Sequence, residues 1–177
     1  TWEAYREAKA MLFRNVATAA AATTAAAAAA RTRVKPGQPK IAVLNRDDGR
    51  SFDYLADIVR SSDAPCQRER GVDFWVSYGI DQADKVHSDD FSRFRTPRNP
   101  PINVTAENVA FGPKGLSFTL QSPWGTVEIE SPLLGLYNVS NILAAASAAL
   151  ALGVSPSTVA EGVAAVRGVP GRMERVD

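Results

Sequence analysis

The sequence predicts an α/β fold carrying an antiparallel β portion, and three observations predict it. A short continuous apolar run, residues 41–44 of KIAVLNRDDGR, has the texture of a buried parallel strand and is followed by a helical stretch, SFDYLADIVR. Between 73 and 130 the texture changes to short runs of alternating apolar and polar residues, separated by GPKG and SPWG. From 135 onward helical spacing resumes on an alanine-rich apolar face.

The first element, TWEAYREAKAMLFR, reads as a helix because Trp2, Tyr5, Leu12 and Phe13 recur at helical spacing among good helix formers. Lys9 falls on that same face, seven after Trp2 and four after Tyr5. Two readings stand. Its stem packs while the ammonium reaches water, or a partly desolvated amine with a lowered pKa is held there for chemistry, since only the neutral amine is nucleophilic. The tract 16–30 is low-complexity alanine and threonine that could extend the helix but lacks an amphipathic pattern, and no function is assigned to it. RTRVKPGQPK, broken by Pro36 and Pro39, is a basic, solvated connection, with nucleic-acid contact as the lesser reading.

The predicted strand 41–44 ends in Asn45, Asp47 and Asp48. Ligands of open parallel sheets bind at that edge, but an Asp after a strand equally caps the helix that follows. The strands DFWVSYG, INVTAENVAF, LSFTLQ and TVEIES are expected to form antiparallel hairpins, with Gly112, Pro113 and Gly115 supplying one turn. Phe118 and Leu120 alternate with Ser117 and Thr119, as in a sheet with one wet face. Arg93, Arg95 and Arg98 could hold phosphates or form a solvated rim.

GLYNVSNILAAASAAL, residues 135–150, places two asparagines three positions apart at the start of a helix. Asn138 is the expected N-cap, with Ile142, Leu143, Ala146 and Leu150 on the buried face. Asn141 is a poor helix former one turn in; its carboxamide carries the donors and acceptor that a nucleobase edge requires. The last helix has Ser155 as cap, Pro156 in the first turn and Gly168 past its end. Arg172 follows in a Gly-Pro turn, where it could clamp phosphate or pair with Glu174.

Composition narrows the classes. Over 177 residues, 20 basic and 19 acidic side chains leave a net charge of +1, which gives no bulk electrostatic reason to expect nucleic acid or an anionic membrane as partner. The single cysteine, Cys66, cannot form an internal disulfide and has no activating neighbour; the only histidine is His87. Outside the alanine tract no run of roughly 18 apolar residues exists, so neither a membrane span nor a signal peptide is read. The chain opens inside a helix without an initiator Met and closes on GRMERVD without a cap, so a piece of a larger protein is expected.

YREAKAMLF, the strand ending in LNRDD, GLYNVSNILAAASAAL and VPGRME, in that order and separation, resemble the Mur ligase family and within it the MurE type. The resemblance implies the later part of a three-domain, ATP-dependent ligase's central domain, a three-layer α/β mononucleotide-binding fold. Residues 16–40 would be an alanine-rich insert and basic linker, 73–130 an antiparallel portion, and 135–177 a helical portion leading to a C-terminal domain. Lys9 matches the family's carbamylated lysine, whose carbamate helps hold Mg2+. Asn138 and Asn141 match the family's Asn-x-x-Asn pair, the second similar to its adenine-contacting asparagine, and Arg172 matches an arginine that reaches the nucleotide phosphates. The implied substrates are ATP, a UDP-N-acetylmuramoyl dipeptide and a diamino acid or lysine. A monomer in the cytoplasm is expected, or in a plastid stroma. No GxxxxGK(S/T) phosphate loop occurs here, and the family's magnesium-binding Glu and His would lie upstream. Sister ligases, such as one extending folate with glutamate, share the chemistry. Some plastid proteins resembling MurE instead serve an RNA polymerase assembly.

Overall fold

The computed structural model describes residues 1–18, 41–61, 74–81 and 102–168. Helix α1 (Trp2–Thr18) is followed by strand β1 (Ile41–Asn45), helix α2 (Gly49–Ser61) and strand β2 (Phe74–Ile80). Three strands follow, β3 (Ile102–Gly112), β4 (Gly115–Ser122) and β5 (Gly125–Ser131), then helices α3 (Leu136–Ala151) and α4 (Pro156–Ala165). The strands form one sheet in sequence order.

The sheet is mixed. β1 pairs parallel with β2 and β2 parallel with the first half of β3, in registers Val43↔Val76 and Val76↔Ile102. β3 to β4 and β4 to β5 are antiparallel, joined by two-residue turns. This corrects one expectation: DFWVSYG belongs to the parallel half, and only 102–131 forms the antiparallel arm. Its partners come from strands on either side in the fold, and a short run of this texture is compatible with either pairing. The first strand and the helix after it, the three hairpin strands and both C-terminal helices form where the pattern placed them.

Side-chain alternation builds two cores on opposite faces of the sheet. Ala42, Leu44 and Trp75 face α2, packing with Phe52, Leu55, Ala56, Val59 and Ala10 of α1. Val76, Val104, Phe118, Leu120 and Ile129 face the other way, against Val139, Ile142, Leu143, Ala146 and Leu150 of α3 and Val159 of α4. The result is three layers, with helices α1 and α2 on one side and α3 and α4 on the other. On β4 the buried Phe118 and Leu120 alternate with half-buried Ser117 and Thr119, as the pattern required.

α1 turns a different face inward from the one its apolar residues suggest. Ala10 is buried, while Tyr5 is 58% and Leu12 63% exposed. Arg6 is the residue held between aromatic rings, its guanidinium 5.1 Å from the Trp2 centroid and 4.3 Å from that of Tyr54 on α2. Tyr54 donates its hydroxyl to Glu7 at 2.5 Å, so the α1–α2 contact is built from aromatic and charged groups around one small residue. α4 is capped as predicted: Ser155 Oγ accepts from the Thr158 N–H at 3.2 Å, with Pro156 at the first turn. The helix stops at Ala165, with Val166 as its cap, three residues before Gly168.

Candidate functional site

Because β5 reverses direction twice relative to β3, the carboxyl ends of β1, β2, β3 and β5 all point to one edge of the sheet. Four residues, 132–135, then lead into α3, so its first turn lies at that same edge. This is the edge at which open α/β sheets bind ligands.

The N-cap position of α3 is Gly135, at φ 89°, and no side chain caps the helix. Asn138 therefore sits inside the first turn, which corrects its expected role as N-cap. Glycine adopts the positive φ that a chain leaving β5 needs to enter the helix, and the helix starts two residues before Asn138. The Asn138 carboxamide works in the sense opposite to a cap: Nδ2 donates to the Leu134 carbonyl at 2.7 Å. Its Oδ1 accepts from Asn141 Nδ2 at 3.2 Å. Asn138 is 8% exposed and Asn141 is exposed, so the inner carboxamide orients the outer one. Among the described residues, Asn141 Oδ1 and its second N–H make no other hydrogen bond, and they remain a donor and acceptor pair at the sheet edge.

The NRDD segment has structural employment at the same edge. Asn45 Oδ1 accepts from the Asp47 N–H at 2.9 Å, and the Arg46 N–H donates to the Tyr78 carbonyl at 2.8 Å. Asp47 Oδ2 accepts from the Ile80 N–H at 3.0 Å, clamping the ends of β1 and β2 together. Asp48 Oδ1 accepts from the Ser51 N–H at 3.4 Å at the start of α2. Gly79 gives these side chains room, since a Cβ there would lie 2.8 Å from Asp47 Oδ1 and 3.2 Å from Arg46 Nε. Sequence reading did not single out Gly79, although a glycine inside a strand marks close approach by another group. Burial raises the pKa of Tyr78, and the charges of Asp47 and Asp48 add to the shift.

Lys9 lies on the opposite side of the sheet from the asparagine pair, on the exposed face of α1, with Nζ 4.6 Å from the Tyr5 ring centroid. Arg172, Arg93, Arg95, Arg98, Cys66 and His87 lie outside the described residues, as does most of the alanine tract and the basic linker. Among the described residues no three His, Cys, Asp or Glu side chains are placed to hold a metal ion. A cavity of about 830 Å³ opens on the antiparallel arm, between Phe111, Lys114 and Pro132 on one side and Ala164 and Arg167 on the other; it includes none of the sequence-predicted site residues.

A family model described as the Mur ligase middle domain matches residues 31–149, more than half of the chain. The chain belongs to the Mur ligase family. It is 37% identical over 177 residues to UDP-N-acetylmuramoyl-L-alanyl-D-glutamate–2,6-diaminopimelate ligase of Geobacillus thermodenitrificans, covering 100% of this chain and 27% of that protein. Its identity to the ligase of the same description from Geobacter metallireducens is 35% over 175 residues, covering 99% of this chain and 25% of that one. A solved structure of a UDP-N-acetylmuramoyl-L-alanyl-D-glutamate–2,6-diaminopimelate ligase superposes with a TM-score of 0.63 at 27% identity, over 100% of this chain and 27% of the other. This Mur ligase chain thus spans about a quarter of the length of the curated relatives it matches. Among the described residues no helix is long and apolar enough to cross a membrane.

Proposed function

We propose that the chain is the later part of the ATP-binding central domain of a MurE-type ligase. That ligase joins a diamino acid, diaminopimelate or lysine, to UDP-N-acetylmuramoyl-L-alanyl-D-glutamate in the cytoplasm, as a monomer, during peptidoglycan precursor synthesis. One observation carries the reading: a buried Asn138 fixes an exposed Asn141 at the carboxyl edge of the sheet, with a free donor and acceptor that match the amino group and ring nitrogen of adenine. The similarity of the whole chain to diaminopimelate ligases supports it.

In this reaction the γ-phosphate of ATP passes to the substrate carboxylate, the bond to ADP breaks, and an acyl phosphate forms. The amine of the incoming amino acid attacks the acyl carbon, phosphate leaves, and the amine's proton goes to solvent. Such a transfer asks mainly for positioning and charge neutralisation. Asn141 holds the base, Asn138 orients Asn141, and Arg172 supplies charge to the phosphates. Lys9, once carbamylated by carbon dioxide, would supply oxygen donors suited to the hard cation Mg2+. The structure describes Lys9 on an open face of α1.

The test is ADP release by the whole enzyme that carries this chain, given ATP, magnesium and the UDP-muramoyl dipeptide, across a panel of amino acids. Release that requires both the dipeptide and one diamino acid is expected. A folded enzyme silent across the panel overturns the assignment and directs attention to the sister ligases or to a role in a polymerase assembly.

A further inference from the structure

Beside the asparagine pair stands an aromatic ring to which the reading above gives no task. Tyr137 is 43% exposed and lies off the buried face of α3, which is made of Asn138, Val139, Ile142, Leu143, Ala146, Ser147 and Leu150. Its position is nevertheless fixed. The Cδ1–Cε1–Cζ side of the ring lies against Gly135, where a Cβ would come within 2.7 Å of Cε1 and 3.2 Å of Cδ1. Gly135 thus leaves open the space that the ring occupies, and its positive φ holds the chain in that bend. Among the described residues the hydroxyl makes no hydrogen bond.

Tyr137 precedes Asn141 by four positions, so the two side chains share one helical face and lean toward the helix N-terminus. A flat, solvent-facing ring next to a carboxamide with a free donor and acceptor combines the two elements that recognise a nucleobase, a stacking surface and an edge reader. Leu134 and Leu136, both exposed, extend the apolar surface at the same mouth. We propose that Tyr137 is the stacking platform for the purine base whose edge Asn141 reads. The inference rests on the nucleotide reading and deepens it: base affinity comes from the ring, base identity from the amide.

Calorimetric titration of the whole enzyme with ADP and with inorganic tripolyphosphate tests this, using the unsubstituted protein, Tyr137→Phe and Tyr137→Leu. Tyr137→Phe should bind ADP as the unsubstituted enzyme does. Tyr137→Leu should lose about 5- to 150-fold in ADP affinity, the range set by base–aromatic stacking. Tripolyphosphate, which has no base, should bind all three alike. Unchanged ADP affinity in Tyr137→Leu overturns the platform and leaves the nucleotide reading standing. Equal losses for ADP and tripolyphosphate also overturn it, because the variant would then have disturbed the site as a whole. An unsubstituted enzyme that fails to bind ADP overturns both.

Discussion

Gly115 and Gly125 allow steric contact to be separated from backbone strain. They have nearly the same conformation, φ 132° and 133°, and each opens a strand after a two-residue turn. An L-residue in such a conformation costs roughly 1–3 kcal/mol wherever it sits. At Gly125 little is added, because the nearest atom to a new Cβ is Pro156 Cγ at 3.3 Å. At Gly115 a new Cβ would lie 2.0 Å from the Ser131 carbonyl oxygen, 2.7 Å from Pro132 Cα and 2.9 Å from the Ser131 carbonyl carbon. All three are backbone atoms that no rotamer change can move, so the hairpin must shift on the order of 1 Å, adding roughly 1–3 kcal/mol of overpacking. Gly125→Ala should therefore destabilise the whole enzyme by about 1–3 kcal/mol and Gly115→Ala by about 2–6 kcal/mol, against a typical domain stability of roughly 5–15 kcal/mol. Urea unfolding of both variants gives the difference. Because Ser131 and Pro132 lead directly into α3, Gly115→Ala should also weaken ADP binding, whereas Gly125→Ala should not. Equal destabilisation by the two would refute the steric argument, since strain alone would then explain both.

Asn138→Ala removes the bond to Leu134 and the partner of Asn141, so it should cost roughly 1–3 kcal/mol in urea unfolding and raise the KM for ATP. Asn141→Ala should raise that KM with little change in unfolding, and indistinguishable profiles would remove the division of labour between them. Lys9→Ala should abolish turnover, with partial recovery on adding short carboxylates that replace the carbamate; full activity in that variant takes Lys9 out of the mechanism. Tyr78 has its pKa raised in the folded state by burial, with Asp47 and Asp48 adding to the shift. Its contribution is therefore complete below its ordinary pKa of 10.0 and lost as pH rises through the higher folded value. Tyr78→Phe should flatten the alkaline fall in stability, and an unaltered slope above pH 10 would contradict that account.

Periodicity made most of the elements legible, because burying one face leaves a repeat in the sequence. The alternation on β4 and the apolar spacing of α3 were read from that repeat, and Ser155 with Pro156 marked the start of α4 through local capping chemistry. What stayed hidden depended on partners distant in the chain. The texture of FWVSYGI suits a parallel or an antiparallel strand, and only its neighbours decide. Asn138 and Gly135 are both acceptable caps by residue type, and the positive φ at 135 is a property of the connection from β5. The inward face of α1 is set by Ala10 and by the contacts of Arg6 and Glu7 with Tyr54, 48 positions after Arg6 in sequence, and not by its larger apolar residues. The partners of Asp47 and Gly79 were illegible for the same reason, since the bond from Ile80 to Asp47 spans 33 residues.

The double pairing of β3 also bears on the order in which the chain assembles. The β3–β4–β5 arm and the α3–α4 hairpin close through turns of a few residues, so little chain entropy is lost before their contacts form, and such hairpins arise in microseconds. β1 and β2 have no comparable local route, because each must find its register across a long intervening segment, and contacts of that range are slow. The first half of β3 is then the free edge along which β2, and after it β1, can be added strand by strand. Synthesis runs the other way, so β1 and β2 are made before the β3 edge with which β2 pairs. Until β3 is made, β2 lacks that edge to pair with.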